Sequence, residues 1–222
     1  MTTATIDDAT TDQTIDASTF AGFVELNLAT EAFDSTLTIK GGASTTDQVT
    51  ATISEGSNKI ASMTGIEKLV INSSNNDEEA SIDLTNVTGL TEVTANFVTS
   101  GDGDQIEIDK LPAGVTVKAK FTGDDAASDP DILDIGAADA SSTTTAVTVQ
   151  VDAALTATND SVNIDAAGVE TFTLYNKSGA ATNVFDLAGV TPTTDSKTKI
   201  IVTGVGATLK TLDTNVDTVD GS

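Results

Sequence analysis

Acidic side chains gathered in two turn segments are the residues of this chain best suited to chemistry. Calcium binds roughly six to eight oxygen ligands at about 2.3–2.6 Å, supplied by carboxylates, carbonyls and water. Several Asp side chains within a few positions on a turn are typical of such a site. We therefore predict calcium ligands in the acidic loop 123–131 and on the glycine-rich turn before Gln105; the candidates are Asp102, Asp104, Asp124, Asp125, Asp129 and Asp131.

Each of these segments also has a simpler interpretation, that of a solvated acidic loop. A third acidic turn, formed by Asp77, Glu78 and Glu79, is better explained in that way. The sequence has no EF-hand loop. The nonapeptide calcium repeat G-G-x-G-x-D is also absent, with only a partial match at 101–104. Any calcium is therefore expected in isolated sites rather than in a β-roll.

The charge balance narrows the classes of function. The chain has 34 acidic and 10 basic residues, and it has no His or Cys; every basic residue is Lys, and the formal net charge is -24. Because binding to phosphates needs cationic surface, nucleic acid and anionic membrane surfaces are excluded as partners. Carboxylates rarely catalyse without a His, Arg, Cys or metal nearby, so we predict that the chain is not an enzyme. No apolar run approaches the roughly 20 residues that cross a bilayer, so no membrane insertion is expected.

Short segments of alternating aliphatic and polar residues recur along the chain and predict half-buried strands. Gly, Asp, Asn, Ser and Thr separate them, and the steps of about a dozen residues correspond to a strand plus a turn. No long helical periodicity is present, and the one candidate helical turn is at 152–156. The predicted strands are 24–28, 37–39, 49–53, 69–71, 82–84, 93–95, 106–108, 115–119, 133–135, 147–151, 162–164, 172–174, 185–187 and 200–202.

Two architectures fit this spacing: a Thr- and Ala-rich β-solenoid with short strands and Gly/Asp turns, or two tandem β-sandwiches. The pattern Asp-x-aliphatic-x-aliphatic starts at Asp104, Asp131 and Asp160, and Asp47 lies about two such steps upstream. That period of about 28 residues suits one solenoid coil. In a solenoid, the Asp102–Asp104 turn would lie one coil from Asp131, with carboxylates stacked about 4.8 Å apart.

A longer repeat favours the sandwiches. The segment that begins Gly65-Ile66-Glu67 resembles the one that begins at Gly168, 103 residues later. Because the shorter period runs through most of the chain, we predict one elongated β-solenoid domain over 1–222. The alternative is a division into two domains near 110–130.

These patterns resemble bacterial surface-layer proteins exported by type I secretion, of the Caulobacter and Campylobacter kind, and related calcium-dependent surface adhesins. The resemblance rests on the G-[IV]-E-x-[LF]-x-[IL] segments at Gly65 and Gly168, on the Asp-x-aliphatic-x-aliphatic strand starts, and on the closing stretch 199–222. It implies a β-solenoid, calcium-dependent folding, export without an N-terminal signal and assembly into a two-dimensional lattice.

The function we expect is therefore that of a structural surface-layer protein that self-assembles into a calcium-dependent extracellular lattice at the cell surface. Its partners would be further copies of itself and a cell-surface polysaccharide. The alternative is a calcium-stabilised segment of a secreted adhesin that binds a glycan or a host ligand. Both hypotheses place the chain outside the cell, and both name calcium as the bound ion.

Overall fold

The computed structural model describes residues 2–6, 12–30, 32–53, 56–73, 79–97, 105–121, 132–137, 146–151, 162–167, 169–177, 184–187, 190–191, 198–204, 208–212 and 216–221. Over these ranges the secondary structure is β-strand with turns and bends, and no helix occurs. It follows that this part of the chain contains no helix with the length and apolar character that crossing a membrane requires.

The described strands are short and are numbered here in chain order. They are β1 (Thr2–Ile6), β2 (Gln13–Asp16), β3 (Val24–Leu28), β4 (Leu37–Lys40), β5 (Gln48–Ile53), β6 (Gly56–Lys59), β7 (Ser62–Thr64), β8 (Lys68–Ser73), β9 (Glu79–Asp83), β10 (Val87–Thr88), β11 (Glu92–Phe97), β12 (Gln105–Leu111), β13 (Thr116–Phe121), β14 (Ile132–Ala137), β15 (Ala146–Val151), β16 (Val162–Ala167), β17 (Thr171–Asn176), β18 (Val184–Leu187), β19 (Val190–Thr191), β20 (Thr198–Gly204), β21 (Thr208–Leu212) and β22 (Val216–Asp220).

These strands wind into a β-solenoid, as the sequence predicted. Sheet A contains ten strands in the order β1-β3-β5-β8-β11-β13-β15-β17-β20-β22, and every neighbouring pair is parallel. Sheet B contains β10-β7-β4-β2, and sheet C contains β21-β18-β16-β14-β12-β9-β6, with β19 beside β16. From β11 to β18 the described strands alternate between sheets A and C, so each coil there contributes one strand to each sheet.

The core is a set of aliphatic ladders. The inner strands of sheet A, such as β3, β5, β8, β15 and β17, bury every second residue, and parallel register stacks like positions on one another. One ladder pairs Leu26, Val49, Leu69, Val93, Val117, Val149 and Leu174 in that order. All seven are at most 4% exposed, and they belong to the same hydrophobic cluster as the buried Ile and Leu residues of sheet C. The chain lacks Trp, so these small and branched side chains must fill the interior.

The coil length varies more than the sequence suggested. Along sheet A the register advances 20 residues from Gln48 to Lys68, then 24 to Glu92 and 24 to Thr116, and then 32 to Thr148. The predicted step of 27 residues is confirmed in sheet C, where Gln105 pairs with Ile132. The prediction that the Asp47 segment lies two coil lengths before the Asp104 segment was wrong, because β5 belongs to sheet A and β12 to sheet C.

The next predicted step, from Asp131 to Asp160, is also corrected. It would have paired Leu133 with Val162, but Leu133 pairs with Ile164. A slip of two residues leaves the same side chains on the same face of a strand. Hydrophobic alternation therefore could not reveal the error.

The repeat that had suggested two sandwiches marks one recurring corner of the coil. Gly65, Ile66 and Glu67 lead into β8, and Val169 and Glu170 lead into β17; both of these strands are in sheet A. In each case the Glu carbonyl oxygen accepts a hydrogen bond from a backbone N–H of the next coil. The donors are Thr91, at 2.9 Å from Glu67, and Lys199, at 2.8 Å from Glu170. The similarity thus reflects equivalent positions in a solenoid.

Candidate functional site

The six predicted calcium ligands lie outside the described residues. These are Asp102, Asp104, Asp124, Asp125, Asp129 and Asp131, and the candidate helical turn at 152–156 and the acidic residues Asp77 and Glu78 also lie outside them. The strands that follow Asp104 and Asp131 in sequence, β12 and β14, are neighbours in sheet C. Calcium binding at these positions therefore remains a prediction.

The described ranges contain no group of three or more acidic side chains placed closely enough to hold a metal ion. Several of the acidic residues there lie instead along the outer surface of sheet C. Among the residues of sheet C that pair with a neighbouring strand and whose side chains are described, the outward-facing acids are Asp83, Glu107, Asp109, Asp134 and Asp186. We call these five residues the acidic face.

Parallel register brings the carboxylates of the acidic face into rows. Asp83 pairs with Asp109, and Glu107 pairs with Asp134. Partners in neighbouring parallel strands are about 4.8 Å apart, and like charges directly opposite each other destabilise a sheet. The rows follow from the sequence, because Ile106 and Ile108 point into the core and therefore place Glu107 and Asp109 on the outside.

At one end of a row, Asp83 is held in its charged form. Lys59, its partner on β6, lies 2.6 Å from its carboxylate. The backbone N–H of Thr85 also donates to Asp83, at 2.8 Å. Burial raises the pKa of this carboxyl, but the hydrogen bonds from Lys59 and Thr85 outweigh that effect and lower the pKa to about 2.

The next carboxyl in that row, that of Asp109, is less stable in its charged form. Burial, together with the negative charges of Glu107 and Asp83, raises the pKa of Asp109, and Lys110 opposes the shift only partly. Lys110 has a φ of 60° at an irregularity in the pairing of β12 with β14. The surroundings of Asp109 therefore disfavour its charged form, and an added cation beside it would relieve part of the repulsion from Glu107 and Asp83.

Other Asp residues at turns have a structural role that the sequence interpretation did not consider. The carboxylate oxygen of Asp16 accepts hydrogen bonds from both the backbone N–H and the hydroxyl of Ser18, at 3.0 and 2.6 Å. Asp34 accepts the same pair from Thr36, at 2.7 and 2.6 Å. The pattern Asp-x-Ser/Thr thus forms turns by local hydrogen bonding. That signal was readable in the sequence.

The most deeply buried carboxylate in the described residues, Asp47, is also structural. It is 0% exposed, and its two oxygens accept the backbone N–H groups of Val24, at 2.9 Å, and Gly42, at 2.7 Å. Its own N–H donates to the Glu67 carboxylate at 2.9 Å. Asp47 therefore links three successive coils at the corner from which the strands of sheet A start.

No protein family, curated protein or solved structure matches this chain. The acidic face concentrates negative charge on a rigid support and attracts cations to it.

Proposed function

We propose that this chain is a structural segment of an extracellular surface-layer protein, which self-assembles into a lattice bridged by calcium ions. The observation that carries the proposal is the acidic face of sheet C, with carboxylates stacked in register on a chain of net charge -24. A surface built in this way repels copies of itself unless cations intervene.

Electrostatic screening by monovalent salt is not enough to remove this repulsion at contact. The screening length at physiological ionic strength is about 8 Å, which is longer than the distance between stacked carboxylates. Calcium prefers carboxylate oxygens and tolerates ligands from more than one strand or molecule. Ions bound at the predicted ligands Asp102, Asp104, Asp124, Asp125, Asp129 and Asp131 would therefore remove the repulsion locally and allow neighbouring copies to meet.

The fold is suited to a mechanical role. A parallel solenoid presents long sheet faces made of repeated short strands, and each coil is supported by its neighbours. A self-associating surface can repeat along such a body without a separate binding domain. The expected attachment to a cell-surface polysaccharide is part of this proposal.

Sedimentation velocity of the purified chain tests this function. We expect large assemblies in millimolar calcium that dissolve when a chelator is added in excess. Magnesium at the same ionic strength is the control, because a general screening effect would act equally with both ions. Assembly that is indifferent to the chelator would contradict the role of calcium. A monomer under all conditions would contradict self-assembly and favour the adhesin segment, whose glycan or host ligand could then be sought.

A further inference from the structure

The outer faces of sheets A and C differ in charge. At its paired outward positions, sheet A has four Lys and three acidic residues, namely Glu25, Lys68, Glu92, Lys118, Lys120, Lys199 and Asp220. At the corresponding positions of sheet C whose side chains are described, Lys59 stands against the five acids of the acidic face. Sheet A is thus close to neutral, on a chain that is otherwise strongly acidic.

Part of the positive charge of sheet A is available to a partner. Lys118 is engaged by Glu92 at 2.6 Å, and both side chains are 24% exposed. Lys120 and Lys199, by contrast, are exposed. A negatively charged surface approaching sheet A would therefore meet Lys side chains at more than one coil.

The two faces are separate surfaces of the solenoid. Their inner residues, such as Val117 of sheet A and Ile108 of sheet C, belong to one hydrophobic cluster. The outer surfaces therefore both face away from that shared core. A contact between sheet A of one copy and sheet C of another is heterologous, so it leaves one free face of each kind and can repeat without closing.

We propose that the outer face of sheet A binds the acidic face of sheet C of a second copy of this chain. This inference rests on the proposed function, because it names the surfaces through which the lattice grows. Calcium would lower the general repulsion between copies, and the contact between Lys and carboxylate side chains would set the direction of assembly.

The dimensions of the sheets suit a weak, repeated contact. With strands about 4.8 Å apart and about 17 Å long, the seven-strand path of sheet C offers a face of roughly 500 Å². Two such faces would bury roughly 1,000 Å² in total, which is at the lower end for specific interfaces. Such an interface is weak alone and is strengthened when it repeats in an array.

Charge reversal on each face tests the proposal. Lys120→Glu makes the outer face of sheet A net negative, and Asp109→Lys makes the acidic face less negative. Lys40→Glu is the matched control for the first change, because Lys40 lies on β4 in sheet B, is 48% exposed and pairs only with the exposed Asp16 in the described structure. It alters the net charge by the same amount. Circular dichroism and urea midpoints establish that each variant is folded.

The readout is the calcium concentration at which half of the protein sediments as assemblies. We expect Lys120→Glu and Asp109→Lys to weaken assembly about tenfold each, and Lys40→Glu to stay within about twofold of the parent chain. An equimolar mixture of Lys120→Glu and Asp109→Lys should recover assembly, because the introduced carboxylate of one variant can then meet the introduced ammonium of the other, while the alternate contact keeps the parent residues Lys120 and Asp109.

The alternative outcomes separate the two proposals. If the parent chain assembles but the mixture is no better than either variant alone, the pairing of sheet A with sheet C is wrong and the lattice function stands. The same holds if Lys40→Glu is as harmful as Lys120→Glu, because net charge alone would then explain the effect. If the parent chain does not assemble in calcium, the proposed function fails and this contact fails with it.

Discussion

Substituting Gly41 with Ala should destabilise the solenoid at the corner that leads into sheet A. A Cβ atom at Gly41 would lie 1.7 Å from the carbonyl oxygen of Gly65, one coil away, and 2.5 Å from its carbonyl carbon. Real contacts of this kind stay beyond 3.0 Å. The two coils must therefore separate locally, although the N–H of Gly41 donates to the Thr64 carbonyl at 2.7 Å.

The expected cost combines two effects. Forcing extra volume into a packed site costs typically about 1–3 kcal/mol, and leaving a buried backbone group without its hydrogen bond costs about 1–3 kcal/mol more. We therefore expect Gly41→Ala to lower the free energy of unfolding by about 3–5 kcal/mol. For a chain of this length, that corresponds to a fall in Tm of about 10 °C.

Two other glycines serve as controls that separate steric overlap from the cost of backbone conformation. Gly221 has open space where a Cβ atom would lie and no positive φ, so Gly221→Ala should change stability by less than about 0.5 kcal/mol. Gly56 also has open space but a φ of 92°, so Gly56→Ala should cost about 1–2 kcal/mol from backbone conformation alone.

Urea unfolding followed by far-UV circular dichroism gives the three values. Hydrogen exchange then locates the loss, which should be concentrated in β4, β7 and the strands next to them, since each coil contacts mainly its neighbours. If Gly41→Ala unfolds within about 1 kcal/mol of Gly221→Ala, the coils are not as closely stacked at this corner as the structure indicates.

The carboxylates give three further predictions. Asp109→Asn should stabilise the fold at neutral pH by about 0.5–1 kcal/mol, because it removes a charge that Glu107 and Asp83 disfavour; a urea midpoint at or below that of the parent chain would contradict this. The pKa of Asp83 is about 2 in the folded chain against an ordinary value of 3.8, so its stabilising contribution is present above pH 3.8 and is lost as the pH falls towards 2. Asp83→Asn should therefore show a smaller loss of stability than the parent chain in urea titrations between these two pH values, and parallel curves would refute the assignment. Asp47→Ala should cost about 3 kcal/mol, because the buried backbone N–H of Val24 and the part-buried N–H of Gly42 lose their acceptor, whereas Asp47→Asn should cost less because it keeps one oxygen; equal effects of the two substitutions on the urea midpoint would contradict this reasoning.

The strand positions were predictable from the sequence because alternation is a local signal. The segment 24–28 coincides with β3, and the segment 172–174 lies inside β17. In both predicted segments, aliphatic or aromatic residues alternate with polar ones, and the structure buries the former. Weakly apolar strands were not found: β6, with the sequence GSNK, and β2, with the sequence QTID, have no such alternation to show.

The coil length could not be read in the same way. Register in a solenoid depends on how much chain each corner takes up, and this differs between the 24-residue step after Lys68 and the 32-residue step after Thr116. A better signal was available in the Gly residues 24 positions apart, Gly41, Gly65 and Gly89, which meet at one corner. Only glycine permits the approach of Gly41 to Gly65.

The candidate site was predictable only in part. The sequence shows that acids are abundant at turns, but the structure separates them by role: Asp16 forms a local turn, Asp47 joins coils, and Asp83 and Asp109 lie in a charged row. The acidic face arises from pairing between strands about 26 residues apart, from Asp83 to Asp109. No local pattern indicates which acids will become neighbours across such a distance.

Electron microscopy of the purified chain, dialysed slowly into calcium, tests the central claim most directly. We predict ordered two-dimensional arrays with a constant repeat, which disappear when calcium is removed by a chelator and return when it is restored. Dispersed single solenoids in calcium, or arrays that persist unchanged in excess chelator, would contradict a calcium-bridged lattice.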